Sequence, residues 1–198
     1  MTRVLILYYS SHDHMEKLAE AVAEGARATG AKVDVKRVPE TVPEEIARSA
    51  HFRLDQAGAV ATVTELEHYD AIIVGTGTQR PHVLADGPSS IRPAPSGCAE
   101  RSTARSSRPS HQTATQRGGR EMTLFSIIAN LLHFGMIIVR LPYSHGGQMS
   151  VAEIVGGAPY GATTLAGGDG LREPTETDLA GARHQGELIA RAAAKLLG

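Results

Sequence analysis

The residues with the clearest chemical potential form a hydroxyl- and histidine-rich segment near the start of the chain. It reads Ser10-Ser-His-Asp-His-Met15, follows an apolar run and leads directly into a helical pattern. Backbone N–H groups at a helix start, together with serine hydroxyls, can bind a phosphate or another anion. A serine pair before a helix also fits a simple helix cap. The segment therefore predicts anion binding, with plain capping as the alternative.

A second feature is the glycine-rich segment, residues 156–170, in which six of fifteen residues are glycine. Glycine permits positive φ and close backbone approach, so this density predicts a tight loop lying against a ligand or a partner subunit. A flexible linker is the alternative, but Pro159, Tyr160 and Thr163–Leu165 are too specific for a glycine/serine spacer. Asp169, Arg172 and Glu173, which follow, fit solvated capping residues better than an acid–base or metal set.

The elements that must position these segments follow from hydrophobic periodicity. Val4–Tyr9 and Ala71–Thr76 are continuous apolar runs, typical of strands covered on both faces of a parallel sheet. Met15–Ala26 has a helical apolar stripe that ends near Gly30, and Lys32–Val38 alternates like an edge strand. This order predicts an α/β fold with a doubly wound parallel sheet, whose ligands bind at the carboxyl ends of the strands.

The last third of the chain predicts a helix over 121–133, a strand over 136–141 and a closing helix over 178–197. Residues 39–68 predict a long connection with short helical pieces. The inward positions expected on the two helices are Leu124, Phe125, Ile128, Leu131, Leu132, Leu179, Ala182, Leu188, Ile189 and Ala192.

The middle of the chain lacks such patterns. Residues 81–112 contain five prolines, seven serines and four arginines, and neither helical nor strand periodicity. A doubly wound sheet requires a helix and a central strand here, so the central strand is doubtful. A disordered insertion is the simplest interpretation.

Composition limits the class of protein. The 198 residues fit one domain, 1–198, and carry 20 basic and 21 acidic residues, a net charge of -1 that argues against nucleic-acid binding. The single cysteine, Cys98, excludes an internal disulfide and suits the cytoplasm. Polar residues interrupt the longest apolar stretch, so we expect no stable membrane insertion.

Three segments together resemble the WrbA family of flavodoxin-like NAD(P)H:quinone oxidoreductases (type IV). They are the glycine-rich segment, Ser10–Met15, and Thr113-Ala-Thr-Gln-Arg-Gly-Gly-Arg-Glu121; the match covers roughly 1–76 and 113–198. The resemblance implies a three-layer sheet of order 2-1-3-4-5 and non-covalent FMN. It implies two-electron, ping-pong reduction of quinones by NADH or NADPH, protective against oxidative stress, in a homo-tetramer or dimer.

The resemblance also implies which residues bind each group. We expect no metal, because no His, Cys or Asp spacing is typical of a metal site, and no catalytic side chain. For FMN they are Ser10, Ser11, His12, Asp13, His14, Met15, Thr78, Gln79, Arg80, Thr113, Ala114, Thr115, Gln116, Arg117, Gly118 and His133. His12 would also contact the nicotinamide, and Cys98 would stand in the quinone pocket.

Each of these assignments has a plainer alternative. Thr113–Gly118 also fits a simple turn, His133 a core or capping histidine, and Cys98 an unremarkable cysteine. The chain departs from the family pattern at several of them: His12 replaces a tyrosine, Arg117 a histidine and Cys98 a tryptophan. Asp13 replaces a glycine and adds a negative charge beside the phosphate, which predicts a reduced FMN affinity.

The mismatch over about 77–112 suggests a frameshift. His82-Val-Leu-Ala-Asp-Gly-Pro88 can be encoded so that reading one base later gives Met-Ser-Ser-Gln-Met-Ala, the motif the family carries there. The hypothesis is a shifted frame that is restored before Thr113. Two further alternatives for function follow: a non-enzymatic flavin-binding or regulatory protein, and an inactive product of a frameshifted gene.

Overall fold

The apolar runs of the sequence form the centre of a parallel sheet in the computed structural model. It describes residues 1–11, 13–40, 42–49, 52–78 and 118–197, and the backbone of a strand over 106–113. The strands are β1 (Arg3–Tyr8), β2 (Lys32–Arg37), β3 (Ala59–Val60), β4 (Ala71–Gly77), β5 (Ser106–Thr113), β6 (Ile137–Ile138) and β7 (Thr163–Leu165). The helices are α1 (His14–Arg27), α2 (Glu44–Ser49), α3 (Arg120–His133) and α4 (Glu176–Leu197), with 3-10 turns at Thr64–His68 and Gly146–Met149.

The sheet has the order β3-β2-β1-β4-β5-β6, with β7 also paired to β5, and each of these pairs is parallel. Without the two-residue edge strand β3, this is the predicted order 2-1-3-4-5. The fifth position is shared: β6 pairs with the start of β5 and β7 with its end. The predicted strand over 136–141 is therefore only two residues long, because β7 takes the rest of its place.

Two apolar clusters cover the two faces of the sheet. On one face, Val4, Ile6 and Ile73 pack with the buried sides of α1 and α4. On the other, Leu5, Leu7 and Val74 pack with Ile127 and Leu131 of α3. Strand residues thus point alternately to both layers, as expected for a parallel sheet covered by helices on both sides. Each fully buried leucine or isoleucine stabilises the fold by about 1.5–3 kcal/mol.

Helices α1 and α4 cross where glycines allow their backbones to touch. A Cβ on Gly25 would lie 1.8 Å from the carbonyl oxygen of Arg183, and one on Gly186 would lie 2.0 Å from that of Val22. Glycine is the residue that permits such an approach.

The expectation that the central strand is doubtful is wrong, because β5 forms between β4 and β6. It runs parallel to β4 from Ala71↔Ser106 to Gly77↔Gln112. A strand ladder is made by backbone N–H and C=O groups, which every residue of this polar segment except Pro109 supplies. Hydrophobic periodicity, on which the expectation rested, does not detect such pairing.

The prediction of which α3 residues face inward is also wrong in part. Leu124 and Leu131 are buried, whereas Phe125 is 44% and Leu132 56% exposed. The sheet covers a narrower stripe of the helix than its apolar positions span. Among the described residues, the structure contains no helix with the length and apolarity needed to cross a membrane.

Candidate functional site

The carboxyl ends of the central strands meet at one edge of the sheet, and the segments singled out in the sequence follow them there. β1 ends at Tyr8, next to Gly75 of β4, and the N–H of Tyr9 donates to the carbonyl of Gly75 at 2.8 Å. β4 ends at Gly77, which is paired with Gln112 of β5, and β5 and β7 end together at Thr113↔Leu165. The topology therefore brings the starts of all these segments to the same edge.

The β1–α1 loop, residues 10–13, connects this edge to the first helix. Ser10 is buried, and Ser11 is partly exposed with its hydroxyl 3.4 Å from that of Tyr9. Asp13 occupies the N-cap position of α1, but its carboxylate makes no capping hydrogen bond within the described chain. The first turn of α1 thus has no carboxylate cap, which is the arrangement an external anion requires.

His14 and Met15 turn inward from the first turn of α1. His14 is 5% exposed, and its Nε2 lies 2.9 Å from the carbonyl oxygen of Arg172. Its Nδ1 is buried and has no hydrogen-bond partner among the described residues. Met15 is fully buried in the cluster beneath the sheet. These two side chains anchor the loop, so a ligand at the loop would meet mainly the backbone of α1.

A second segment, residues 52–56, lies along the outside of the β1–α1 loop. The backbone N–H of Arg53 donates to the carbonyl of Ser11 at 3.1 Å. The side-chain amide of Gln56 donates to the carbonyl of Ser10 at 2.5 Å. The guanidinium of Arg53 is 2.5 Å from the carboxylate of Asp13. This contact was not anticipated from the sequence, because residues 52–56 carry no periodic signal.

Only some of the other predicted FMN residues lie in the part of the chain that the structure describes. Thr78 is partly exposed directly after β4, and Gly118 is exposed before α3. His133 is exposed in the last turn of α3, beside exposed Leu132. For Thr113 the structure describes only the backbone, at the end of β5. The assignments of His12, Gln79, Arg80, Cys98, Ala114, Thr115, Gln116 and Arg117 lie outside the described residues.

The glycine-rich segment is not a loop throughout, because it contains β7. Thr163, Thr164 and Leu165 are all buried in that strand. Gly156 packs against it so closely that a Cβ would lie 1.7 Å from the carbonyl oxygen of Thr163. At this position, close approach serves the chain itself and not a ligand or partner. The hydrogen bonds of β7 also exclude a flexible linker.

Asp178 is the main residue that the sequence analysis missed. It is 4% exposed, and its carboxylate accepts from the N–H of Gly156 at 2.7 Å and from the hydroxyl of Thr164 at 2.9 Å. It also accepts from the N–H of Thr175 at 3.2 Å, while its own N–H donates to the Thr175 hydroxyl at 3.1 Å. This reciprocal pattern is a capping box, so the spacing Thr-x-x-Asp was the available signal.

Two further side chains attach the glycine-rich segment to the rest of the fold. Buried Gln185 of α4 accepts from the N–H of Ala162 at 2.6 Å. Arg172 donates to the carbonyl of Leu165 at 2.9 Å and to that of Ile154, while its own carbonyl faces His14. Arg172 is thus a structural link between the glycine-rich segment and α1, not the solvated cap expected from the sequence. Beside it, Glu173 forms an exposed ion pair with Lys17 of α1 at 2.5 Å.

A pair of histidines lies behind the glycine-rich segment. The rings of His145 and His184 stack with centroids 5.8 Å apart. Burial lowers the pKa of His145 below its usual 6.5, and the nearby His184 lowers it further, against a hydrogen bond with the Thr177 backbone. His145 and Asp178 line the same small pocket.

Comparison with known proteins identifies the family. The chain is 62% identical to an NAD(P)H dehydrogenase (quinone) of Azorhizobium caulinodans over 200 residues, which cover 100% of both proteins. It is 59% identical over 206 residues to a protein of the same name from Paraburkholderia phymatum, again covering 100% of both. The chain belongs to the NAD(P)H dehydrogenase (quinone) family. The family-level expectation of an NAD(P)H- and quinone-linked oxidoreductase is confirmed, although no family model matches the chain.

Solved structures show the fold of this NAD(P)H dehydrogenase (quinone) family member independently. A flavodoxin from the domain Archaea superposes with a TM-score of 0.57 at 14% identity, covering 98% of this chain and 99% of that one. A short-chain flavodoxin associated with a bacterial microcompartment gives 0.58 at 11% identity, with 98% and 99% coverage. At such identities the likeness shows the fold alone, and it confirms the flavodoxin-like prediction.

Proposed function

We propose that the protein is an FMN-dependent oxidoreductase that reduces quinones to hydroquinones with NADH or NADPH. In this reaction NAD(P)H, a proton and a quinone give NAD(P)⁺ and a hydroquinone, and the nicotinamide and the quinone use the same pocket in turn. The observation that carries the proposal is membership of the quinone dehydrogenase family combined with a flavodoxin-like sheet. Within that family we propose that the chain belongs to the WrbA group.

The β1–α1 loop fits the phosphate of FMN. The first turn of α1 lacks a carboxylate cap, and Ser10 and Ser11 lie directly before it. The N–H groups of that turn and the serine hydroxyls would hold the phosphate, with the positive end of the α1 dipole favouring its charge. When bound, FMN would supply the hydride chemistry of both half-reactions, oxidation of the nicotinamide and reduction of the quinone.

We propose that the residues following β4 and β5 contact the flavin ring. Thr78, Gln79 and Arg80 would hold one side of the flavin ring, and residues 113–118 would hold the other. His12 would contact the nicotinamide, and Cys98 would line the quinone pocket. Their proposed role is to orient the stacked rings and to exclude water from the transfer.

We further propose that the protein acts in the cytoplasm as a homo-tetramer or dimer, with His133 approaching the flavin of a neighbouring subunit. Exposed apolar side chains support an assembly. Phe125 of α3 contacts Tyr160 at 4.5 Å between ring centroids, so α3 and the glycine-rich segment adjoin. The exposed apolar residues of α3 and of the chain that precedes the glycine-rich segment include Met122, Phe125, Leu132, Met149, Val151 and Ile154.

The unusual sequence over about 77–112 is proposed to arise from a frameshift. It is supported by the fact that residues 82–88 can be encoded so that the shifted frame gives the family motif. Resequencing the gene tests it: the proposal fails if every base is confirmed and no shifted frame restores the motif.

The experiment that tests the function is an absorbance spectrum after incubation with FMN and desalting, followed by NADH- and NADPH-driven quinone turnover. We expect a retained flavin spectrum and turnover with either or both nucleotides. Retained flavin without turnover would support the non-enzymatic alternative. Colourless protein would mean that this chain does not carry the proposed function. Ser11→Ala should weaken FMN more than riboflavin, which lacks the phosphate, and Ser49→Ala on exposed α2 is the matched control.

A further inference from the structure

Asp13 presents an electrostatic problem at the proposed phosphate site. An aspartate at an N-cap normally accepts hydrogen bonds from the first-turn N–H groups, the same groups that would bind a phosphate. Its negative charge would also repel a phosphate dianion. In this structure the Asp13 carboxylate makes no such capping bond within the described chain.

The carboxylate is instead held by Arg53. Nη1 of Arg53 lies 2.5 Å from Oδ1 of Asp13, and both side chains are roughly half exposed, at 47% and 42%. The hydrogen bond to Asp13 and its charge raise the pKa of Arg53, with smaller contributions in the same direction from Glu16 and Asp55. Arg53 is therefore charged at any working pH, and Asp13 is its nearest partner.

Arg53 is also fixed by its main chain. Its N–H donates to Ser11, and the neighbouring Gln56 bonds both to Ser10 and to the carbonyl of Arg53, at 2.9 Å. The guanidinium consequently approaches Asp13 from a segment that is attached to the β1–α1 loop at two points. An exposed ion pair on two free side chains would be far less well defined.

We propose that Arg53 is a positioning residue for the FMN phosphate, because it pairs with the Asp13 carboxylate, whose charge would otherwise repel the phosphate at the first turn of α1. The proposal rests on the FMN binding proposed above. Arg53 acts through Asp13 and does not itself bind the phosphate. It therefore offsets the reduction in FMN affinity that the aspartate alone would cause.

Removal of Arg53 leaves the Asp13 carboxylate charge unpaired beside the first turn of α1, where it repels the phosphate. The energies of an exposed ion pair and of a charge at a helix start correspond to an effect of about fivefold on affinity. Riboflavin has the same ring system as FMN but no phosphate. The effect should therefore appear for FMN and not for riboflavin.

The test is a double-mutant cycle on the full-length protein, with dissociation constants for FMN and riboflavin measured by fluorescence quenching. The variants are Arg53→Gln, Asp13→Ala and the double variant. Arg48→Gln is the control, since it removes the same charge from an exposed ion pair with Glu44 elsewhere in the same connection. Thermal unfolding without ligand checks that all variants fold alike.

We expect Arg53→Gln to weaken FMN about fivefold, riboflavin to be unaffected, and Arg48→Gln to have no effect. In the Asp13→Ala background, Arg53→Gln should cause no further loss. Rising salt should reduce the fivefold difference, because the charges are exposed.

Three results would overturn the inference. An unchanged FMN affinity in Arg53→Gln would reject the role of Arg53 while leaving the proposed function intact. An equal loss in the Asp13→Ala background would mean that Arg53 contacts the phosphate directly. A wild-type protein that binds neither FMN nor riboflavin would reject the proposed function, and this inference with it.

Discussion

The β1–α1 loop and the glycine-rich segment meet the same edge of the sheet but are held there in different ways. The loop is held from outside by residues 52–56, through an exposed ion pair and two hydrogen bonds to its carbonyls. The glycine-rich segment is held from within, by the buried carboxylate of Asp178 and the buried amide of Gln185. Exposed pairs contribute little and respond to salt, whereas buried hydrogen-bonded groups are costly to disturb. We therefore expect the β1–α1 loop to be displaced more easily than the glycine-rich segment.

The largest expected effect is from Gly156→Ala. The new Cβ would overlap the backbone of β7, which cannot move without breaking the pairing with β5. We expect a destabilisation of more than about 4 kcal/mol, measured by chemical denaturation. Gly168→Ala is the matched control, because no atom lies within 4 Å of its Cβ position. If both variants were equally stable, the close packing of the glycine-rich segment would be disproved.

The next largest effect on stability is expected from Asp178→Asn. An asparagine keeps the shape but places an NH₂ group against donors that the carboxylate now accepts from. Leaving one or two of these buried donors unpaired should cost about 2–4 kcal/mol in unfolding free energy. Asp169→Asn, an exposed change in the same segment, should cost far less. Equal losses for the two would mean that burial of Asp178 is not what matters.

Much of the architecture could be predicted from the sequence, and the exceptions have physical causes. Val4–Tyr9 and Ala71–Thr76 are apolar because both faces of their strands are covered, so periodicity reveals them. β5 was missed because its pairing uses backbone groups, and β7 because it is three residues long within a glycine-rich stretch. The burial of Asp178 was missed because an aspartate near a helix start normally indicates a solvated cap.

The candidate site shows a similar contrast between local and distant signals. The position of Ser10 and Ser11 between a strand and a helix could be predicted, since a strand–helix turn is a local pattern. Arg53 and Arg172 reach the β1–α1 loop and α1 from distant parts of the chain, and no local pattern encodes those contacts. The predicted binding roles of residues 10–15, 78–80, 98, 113–118 and 133 all stay predictions, to be tested by FMN and quinone binding.

A smaller effect is expected for the exposed ion pair between α1 and the chain that follows the glycine-rich segment. Glu173→Gln removes the ion pair with Lys17, whose side chains are 47% (Lys17) and 62% (Glu173) exposed. The loss in stability should be below about 1 kcal/mol and should disappear in high salt. Thermal unfolding at low and high ionic strength measures it. A loss that persists at high salt would show that Glu173 contributes through packing.

The smallest expected effect concerns pH. Because the pKa of His145 is lower in the folded protein than its usual 6.5, the unfolded chain takes up a proton first as the pH falls. Stability should be unaffected well above pH 6.5 and should decline as the pH falls below it. His145→Asn should flatten this part of the profile in thermal unfolding between neutral and mildly acidic pH. An unchanged slope would assign the acid sensitivity to groups other than His145.

The crossing of α1 and α4 has a consequence for synthesis on the ribosome. The glycines of the two helices that touch there are separated by roughly 160 residues, so α1 emerges long before its partner. At ribosomal rates the delay is on the order of ten seconds. During that time the face of α1 that α4 later covers, including the small residues that let the backbones meet, stays open to water or to a chaperone. The face of α1 that packs on α4 is therefore covered only after α4 has been synthesised.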